Sequence, residues 1–556
     1  MDDGLAAIIV TLMLVPQSLA YAMLAGLPPQ SGLYASILPL LAYALLGSSN
    51  TLAVGPVAIL SLMTAAATAQ FTALGYGDPV TLAMTLALLS GAFLALAGAL
   101  RLGFIADFIS HPVMIGFISA SGVLIALGQA KHLLGLSLSG QNLLEIIPPL
   151  LVGLGDAHRE TMAIGLGTLA SLLALRRYSA SVLLALGAPK RLAAVMARAA
   201  PVLVVIVTTL ICAHLDLAQR GVRIVGSIEA AIPTIALPDV SITIWIDLVG
   251  ASALIALVGF VESVAVAGTL ARRRGQQVSA NQELTGLGAA NIAAGLSGGY
   301  PVTGGFARSA VNFDAGARTP AAGAFTALGI LGAVFTLTPA LYYLPQATLA
   351  ATIIMAVLSL VDVSAFSTSW THHRRDFWAM AGTALATLLI GVEVGIILGL
   401  VISVGFYLRR TSRPVLEELN FGHQAGRLSA SSNSAWKASS QVRLVSIADD
   451  LYFANACHVE TKLTELAAAS TNLSDLVLAF SAGIELDMTS IEMLERLDGT
   501  LGAIGIELHL SGVSPELLQT LNAVGFINSL SGQVFSDTNA AYRSLTAPLE
   551  DPAAAI

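Results

Sequence analysis

The sequence predicts an α-helical polytopic membrane protein, with fourteen transmembrane helices in two inverted seven-helix repeats, followed by a small cytoplasmic α/β domain. Three observations predict it. The 556-residue chain is 56% hydrophobic and 11% charged, with a mean hydropathy of +0.80, where soluble domains carry about a quarter charged residues. Charge is divided unevenly: residues 1–413 hold 20 basic and 17 acidic residues, a net +3, while residues 414–556 hold 6 and 17, a net −11. Two hydrophobic stretches in matching positions of the two halves are interrupted by Gly and Pro, a pattern of inverted repeats.

The opening MDDGLAAIIVTLMLVPQ has no basic n-region and no Ala-x-Ala site, so it predicts a membrane helix rather than a signal peptide. Apolar runs near 4–24, 33–47, 57–70, 80–100, 111–130, 161–176, 200–216, 247–270, 284–298, 306–316, 319–338, 346–362, 376–391 and 393–410 supply the fourteen helices. The third and tenth are too short to span alone, since a span needs about twenty residues. With the N-terminus inside, fifteen Lys and Arg fall in inner connections and four in outer ones, the expected positive-inside bias. Dropping one helix would collapse that bias, which also places the acidic tail in the cytoplasm. The remaining basic residue of the body, Arg308, has no loop to occupy.

The interrupted stretches are LAVGPVAILSLM (52–63) and GGYPVTGGFARSAVN (298–312). Each reads as a short extended run and then an abrupt apolar helix, with Pro56 suited to the first helical position and the second helix starting near Phe306. Backbone at membrane depth must be satisfied or line a wet cavity, so the two runs are expected to pair. Each half-helix then turns free N–H groups and about half a positive charge toward the gap. Two such ends make an anion site without a lysine, and Gly304 and Gly305 let backbone approach a small ligand. A proline kink explains one such segment but not two in matching places.

Two ionisable residues stand inside apolar helices, Glu262 and Arg308, and intramembrane charge marks functional sites. Arg308 adds charge beside the tenth helix's start, or serves as counter-ion to Glu262. Glu262 suits a proton or coupling cation, or a structural hydrogen bond. Gln17 and Tyr21, four apart, share one face of the first helix and suit a pocket wall. Glu393 reads as architectural, and His372 and His373 as a solvated corner. Cys212 and Cys457 read as small buried residues. There is no P-loop, nucleophile elbow or metal-ligand cluster, so no enzyme, cofactor or metal is predicted, and the acidic tail argues against nucleic acid.

VPQSLAYAMLAGLPPQSGLYAS, LAVGPVAILSLM, RLGFIADFISHPVMIGFISASGVLIALGQAKHLLGL and NQELTGLGAANIAAGLSGGYPVTGGFARSAVN resemble the SulP anion-transporter family, the solute carrier 26 group, over nearly the whole chain. The resemblance implies a core domain (about 1–106 and 244–344) moving against a gate domain (about 107–243 and 345–413), usually in a homodimer. It maps the anion pocket onto Gln17, Tyr21, Val57, Ala58, Phe306, Ala307 and Arg308, and the coupling carboxylate onto Glu262. Position 307 is often serine in the family and is Ala here, which leaves the substrate open. Sodium-coupled relatives place a hydroxyl four residues after the acid, where this chain has Val266, so protons are favoured over sodium. Relatives usually carry a basic segment before the first helix, whereas this chain begins almost inside it, which leaves a longer N-terminus open.

In the tail, VRLVSIADDLYFAN, DLVLAFSAG and IELHLSGV read as strands alternating with helical runs, an α/β domain with a mostly parallel sheet. It resembles a STAS domain over 440–550, after a polar linker at 414–439 and before a tail at 551–556. Thr489 takes the place where bacterial relatives carry a phosphorylated serine; the plainer reading is a helix-capping hydroxyl. Docking of a cytosolic protein or support of a dimer is the favoured role. The function expected is secondary active transport of a small anion, sulfate first, by proton symport and elevator-type movement in the bacterial inner membrane, with lipid as its surroundings. Bicarbonate, dicarboxylates such as fumarate, anion exchange, an uncoupled channel and a membrane-anchored signalling protein remain open.

Overall fold

The structure, a computed structural model, describes residues 2–546 except 109, 137, 139, 141, 186–189, 229–232, 425–426, 432–440, 471 and 482. It divides into two units, Met1–Ser403 and Val404–Ile556.

The first unit is helical. Among the described residues six helices are long and apolar enough to cross a membrane, and three shorter apolar ones accompany them, including Ala58–Ala73 and Ala321–Thr336. Several expected spans are subdivided. The stretch expected as one helix at 33–47 is two, Pro29–Tyr34 and Leu38–Leu46, each with proline in its first turn, where the missing N–H costs nothing. The run at 346–362 ends as a helix at Leu358, and Val363–His372 follows because Asp362 caps it, accepting from Ala365 N. Leu143–Gly153 and Ile242–Asp247 are helices that hydropathy alone did not mark.

Small residues set how closely the central helices pack, as in other membrane bundles. Pro79–Ala99 lies against Ala280–Leu296 so closely that a Cβ at Gly288 would come within 2.7 Å of Ala95 N, and one at Gly91 within 2.7 Å of Ile292 N. Leu82, Leu86, Leu287 and Ala294 fill the core between these helices and Val249–Arg272.

The second unit is a six-stranded sheet with helices. Val442–Ile447, Asp475–Phe480, Glu507–Ser511 and Val534–Phe535 run parallel in that order, with helices Ala456–Ala468, Met488–Ala503 and Pro515–Val524 between successive strands. The sheet starts earlier than expected. Leu416–Gln424 pairs antiparallel with Val442–Ile447 and with Arg427–Ser431, so part of the expected 414–439 linker is strand. The pattern was hidden because Leu416 and Leu419 are three apart and pack on opposite faces of a sheet covered on both sides. Cys212 is buried as expected, but Cys457 is exposed: Ala456, Val459, Leu463 and Ala467 form the buried face of its helix.

Thr489 is exposed at the second position of Met488–Ala503, and it is not the cap. That place belongs to Asp487, whose carboxylate accepts from Ser490 N and Ser490 Oγ, both at 2.8 Å, and from Phe453 N at 2.8 Å. Burial alone would raise the Asp487 carboxyl, but these bonds hold it below its ordinary value of 3.8. Asp487→Ala is therefore expected to destabilise the C-terminal unit by about 1 kcal/mol near neutral pH. A lowered carboxyl stabilises above its unfolded value, so the difference should fade as pH falls through and below 3.8. Thermal unfolding of the full chain at several pH values measures it.

Candidate functional site

The two interrupted stretches meet. Val54–Gly55 and Thr303–Gly304 form an antiparallel two-stranded ladder, Val54 opposite Gly304 and Gly55 opposite Thr303, and Gly305 N donates to Ala53 O at 3.3 Å. Polar side chains from three helices satisfy the backbone around the ladder. Asn291 holds Val302 at both groups, Nδ2 to O and N to Oδ1, each at 2.9 Å. Ser263 Oγ accepts from Gly304 N at 2.9 Å and lies 2.6 Å from Thr303 Oγ1. Ser309 Oγ accepts from Ala53 N at 2.9 Å, and Asn312 Nδ2 donates to Thr51 O at 3.1 Å. These residues were not singled out in the sequence, because one Ser or Asn in an apolar helix is common and satisfies itself locally.

Each strand runs into a helix with no side-chain cap: Ala58–Ala73, with Val57 at its N-cap, and Phe306–Asp314, with Gly305 at its N-cap. Pro56 therefore precedes the cap instead of opening the helix. The first turns leave N–H groups without helical partners. Both starts line one cavity of about 30 Å3, whose wall includes Gln17, Tyr21, Val57, Ala58, Glu262, Phe306 and Arg308. Gly305, expected to let backbone approach a ligand, lines it too, as do Ile59, Ala356 and Leu360, which sequence did not assign. Of Ala307, the backbone continues the helix and its side chain lies outside the described residues.

Arg308 is 2% exposed, and among the described residues no carboxylate oxygen lies within 4.0 Å of it. It is not a directly paired counter-ion to Glu262. Its Nη2 makes one long bond to Thr303 O at 3.5 Å, and Nη1 has no partner. The guanidinium lies in a bed cleared by glycine: a Cβ at Gly55 would come 2.8 Å from Nη1, and one at Gly305 3.0 Å from Nε. Gly55 also has φ +155°, which side-chained residues rarely adopt. Glu262 is 8% exposed, with Oε2 unpartnered. Gln17 Nε2 donates to Tyr21 Oη at 2.9 Å, so the pair behaves as one unit on the cavity wall.

The cavity thus gathers two helix N-termini, a guanidinium with an idle N–H and a carboxyl group within an apolar setting. That arrangement can hold a small anion and a proton. Val266, a turn after Glu262, is buried and apolar, and the neighbouring Ser263 hydroxyl is already engaged with Gly304.

The sulfate permease family matches residues 1–383, and the STAS domain matches residues 435–541. This chain belongs to the sulfate permease family. It is 32% identical over 546 residues to "Sulfate transporter 4.1, chloroplastic" of Arabidopsis thaliana, covering 96% of this chain and 78% of that protein. A Mycobacterium tuberculosis protein named as a probable sulfate transporter is 33% identical over 531 residues, covering 95% of this chain and 92% of its own. The structure of SLC26A9 superposes with a TM-score of 0.87 at 22% identity over 99% of this chain and 90% of that one. The transmembrane domain of the cyanobacterial bicarbonate transporter BicA superposes at 0.59 and 20% identity, over 73% of this chain and 97% of that one. This permease is therefore an integral membrane protein of an anion-transporter family, with the SLC26A9-like helical fold and a C-terminal STAS domain.

In the STAS domain, Asp475, Glu507 and His509 bring three donor atoms within 4.8 Å, a grouping that adjacent strands create and linear spacing hides. It is not built for a metal. Gln533 N donates to His509 Nδ1 at 3.0 Å, which leaves the ring proton on Nε2, and Nε2 donates to Asp475 Oδ1 at 3.0 Å. Neither nitrogen has a lone pair to spare.

Removing the Ser263 hydroxyl leaves Gly304 N–H buried without its acceptor. Ser263→Ala is expected to cost about 1–3 kcal/mol, seen as a lower melting temperature of the detergent-solubilised permease.

Proposed function

We propose that this permease is a secondary active transporter of small anions, with sulfate the favoured substrate and a proton the coupling ion. One observation carries the reading: two uncapped helix starts and the idle Nη1 of Arg308 border the same cavity. The anion sits among Val57, Ala58, Phe306, Ala307 and Arg308, with Gln17 and Tyr21 as the facing wall. Glu262 takes up the proton that accompanies it, because a carboxylate without a partner beside an anion is stabilised by protonation. Sodium is the weaker candidate, since Val266 gives no oxygen and Ser263 is committed to the backbone.

Movement follows the core and gate division expected from sequence. Residues of the expected core build the anion site, whereas Ala356 and Leu360, on the cavity wall, belong to the expected gate. A site at such a boundary suits elevator-type alternating access, in which the core carries the anion past the gate. A homodimer, placement in a bacterial inner membrane, and an N-terminus and STAS domain in the cytoplasm complete the proposal. The STAS domain supports assembly or docks a cytosolic protein. Bicarbonate or a dicarboxylate is the second reading for the substrate, which Ala307 in place of a hydroxyl residue leaves open.

Uptake of radiolabelled sulfate into proteoliposomes under an imposed pH gradient tests both parts. Arg308→Ala should raise the sulfate KM at least about ten-fold, the scale of one charge-assisted contact, while the protein stays folded. Glu262→Gln should abolish proton flux driven by sulfate. Full proton-coupled uptake by Glu262→Gln would remove Glu262 from the coupling role, and unfolding of Arg308→Ala would make Arg308 structural.

A further inference from the structure

The first half-helix hangs from residues 48–55, a run without regular structure until its last residues. The transport reading uses one buried carboxylate, and the helical unit has a second. Glu283, in the first turn of Ala280–Leu296, is 0% exposed. Its Oε1 accepts from Ser48 N at 3.0 Å, Ser48 Oγ at 2.6 Å and Ser49 N at 3.1 Å, and Tyr43 Oη lies 2.9 and 2.8 Å from its two oxygens. Every donor belongs to the end of Leu38–Leu46 or to the start of the run. Glu262 keeps an oxygen free at the cavity, and Glu283 keeps none.

From Glu283 the bonds continue to the anion site. Ser49, which donates its N–H to Glu283, accepts at Oγ from Leu52 N at 3.2 Å and Thr51 N at 3.4 Å. Thr51 O and Ala53 N are taken by Asn312 and Ser309 of the half-helix that carries Arg308. The next two residues are the ladder strand, whose Gly55 borders the guanidinium.

We propose that Glu283 is a positioning residue of the anion site: a fixed carboxylate that anchors Ser48–Leu52, and through them the height of the first half-helix and the bed of Arg308. It is not a second proton carrier. The proposal deepens the transport reading and rests on it. The chemistry separates the roles. Glutamine at 283 keeps an oxygen for the Ser48 and Ser49 amides and can donate to Tyr43 Oη, so the anchor survives loss of charge. Leucine removes every acceptor.

The test uses the full chain, with sulfate uptake in proteoliposomes and hydrogen–deuterium exchange of the purified protein. Glu283→Leu should raise the sulfate KM about ten-fold, the scale of a small displacement of a binding group, and speed amide exchange over 49–55 while Pro79–Ala99 is unchanged. Glu283→Gln should match the wild type in KM, in its pH profile and in exchange. Loss of proton-coupled uptake in Glu283→Gln, with exchange over 49–55 unchanged, overturns the proposal in favour of a charge-carrying role. Unchanged KM and exchange in Glu283→Leu overturns it as well. If Glu283→Leu does not fold, Ser49→Ala tests the same chain with Glu283 intact; faster exchange over 50–55 and a raised KM support the proposal, and wild-type values overturn it. A wild-type protein without sulfate uptake defeats the sulfate reading instead, and the exchange measurements still decide the anchor.

Discussion

Backbone that leaves a helix inside a membrane has no water to bond with, and its N–H and C=O groups must be met by the protein itself. The ladder between Val54–Gly55 and Thr303–Gly304 is this permease's answer to that constraint. Four hydrogen-bonding side chains, Ser263, Asn291, Ser309 and Asn312, complete it from neighbouring helices. Because the strands are fixed, the helices that follow them begin at fixed points, and their unpartnered N–H groups converge on one cavity. The positive potential there comes from geometry before it comes from any charged residue. Arg308 adds to a field that the fold has already made.

The two buried carboxylates illustrate how one residue type takes two roles. Glu283 has donors at both oxygens, with Ser48 N, Ser48 Oγ and Ser49 N all on Oε1. Glu262 faces a cavity with one oxygen unengaged. A carboxylate held by several donors is fixed in place, whereas one with an unengaged oxygen at a cavity is free to meet a passing ligand. In the proposed mechanism, the difference between support and coupling is one of hydrogen-bond saturation rather than depth in the membrane.

The broken helices were legible in the sequence because glycine and proline interrupt otherwise apolar runs, and two interruptions in matching places have few explanations. Glu262 and Arg308 were legible for the same reason, as rare charges in a greasy context. The supporting residues were not: Asn291 and Ser263 reveal their role only when a strand from elsewhere in the chain lies beside them. Pro56 suggested a helix start two residues early, since Val57 after it is extended and serves as the N-cap, so the helix opens at Ala58. In the C-terminal unit three of the four parallel strands were legible, and Val534–Phe535, two residues long, was not. The first antiparallel strand looked like linker because its two leucines serve opposite faces. The exposure of Cys457 and the cap at Asp487 were matters of one residue's rotation about a helix, which composition does not record.

The central claim is that the paired breaks build an anion site between two helix starts. Crystals of the permease grown with selenate, an anomalous scatterer with the charge and shape of sulfate, test it most directly. The account predicts an anomalous peak in the cavity between the starts of Ala58–Ala73 and Phe306–Asp314, within hydrogen-bonding distance of Arg308. A peak at another place in the helical unit, or an empty cavity in crystals of protein shown to bind selenate in solution, would contradict it.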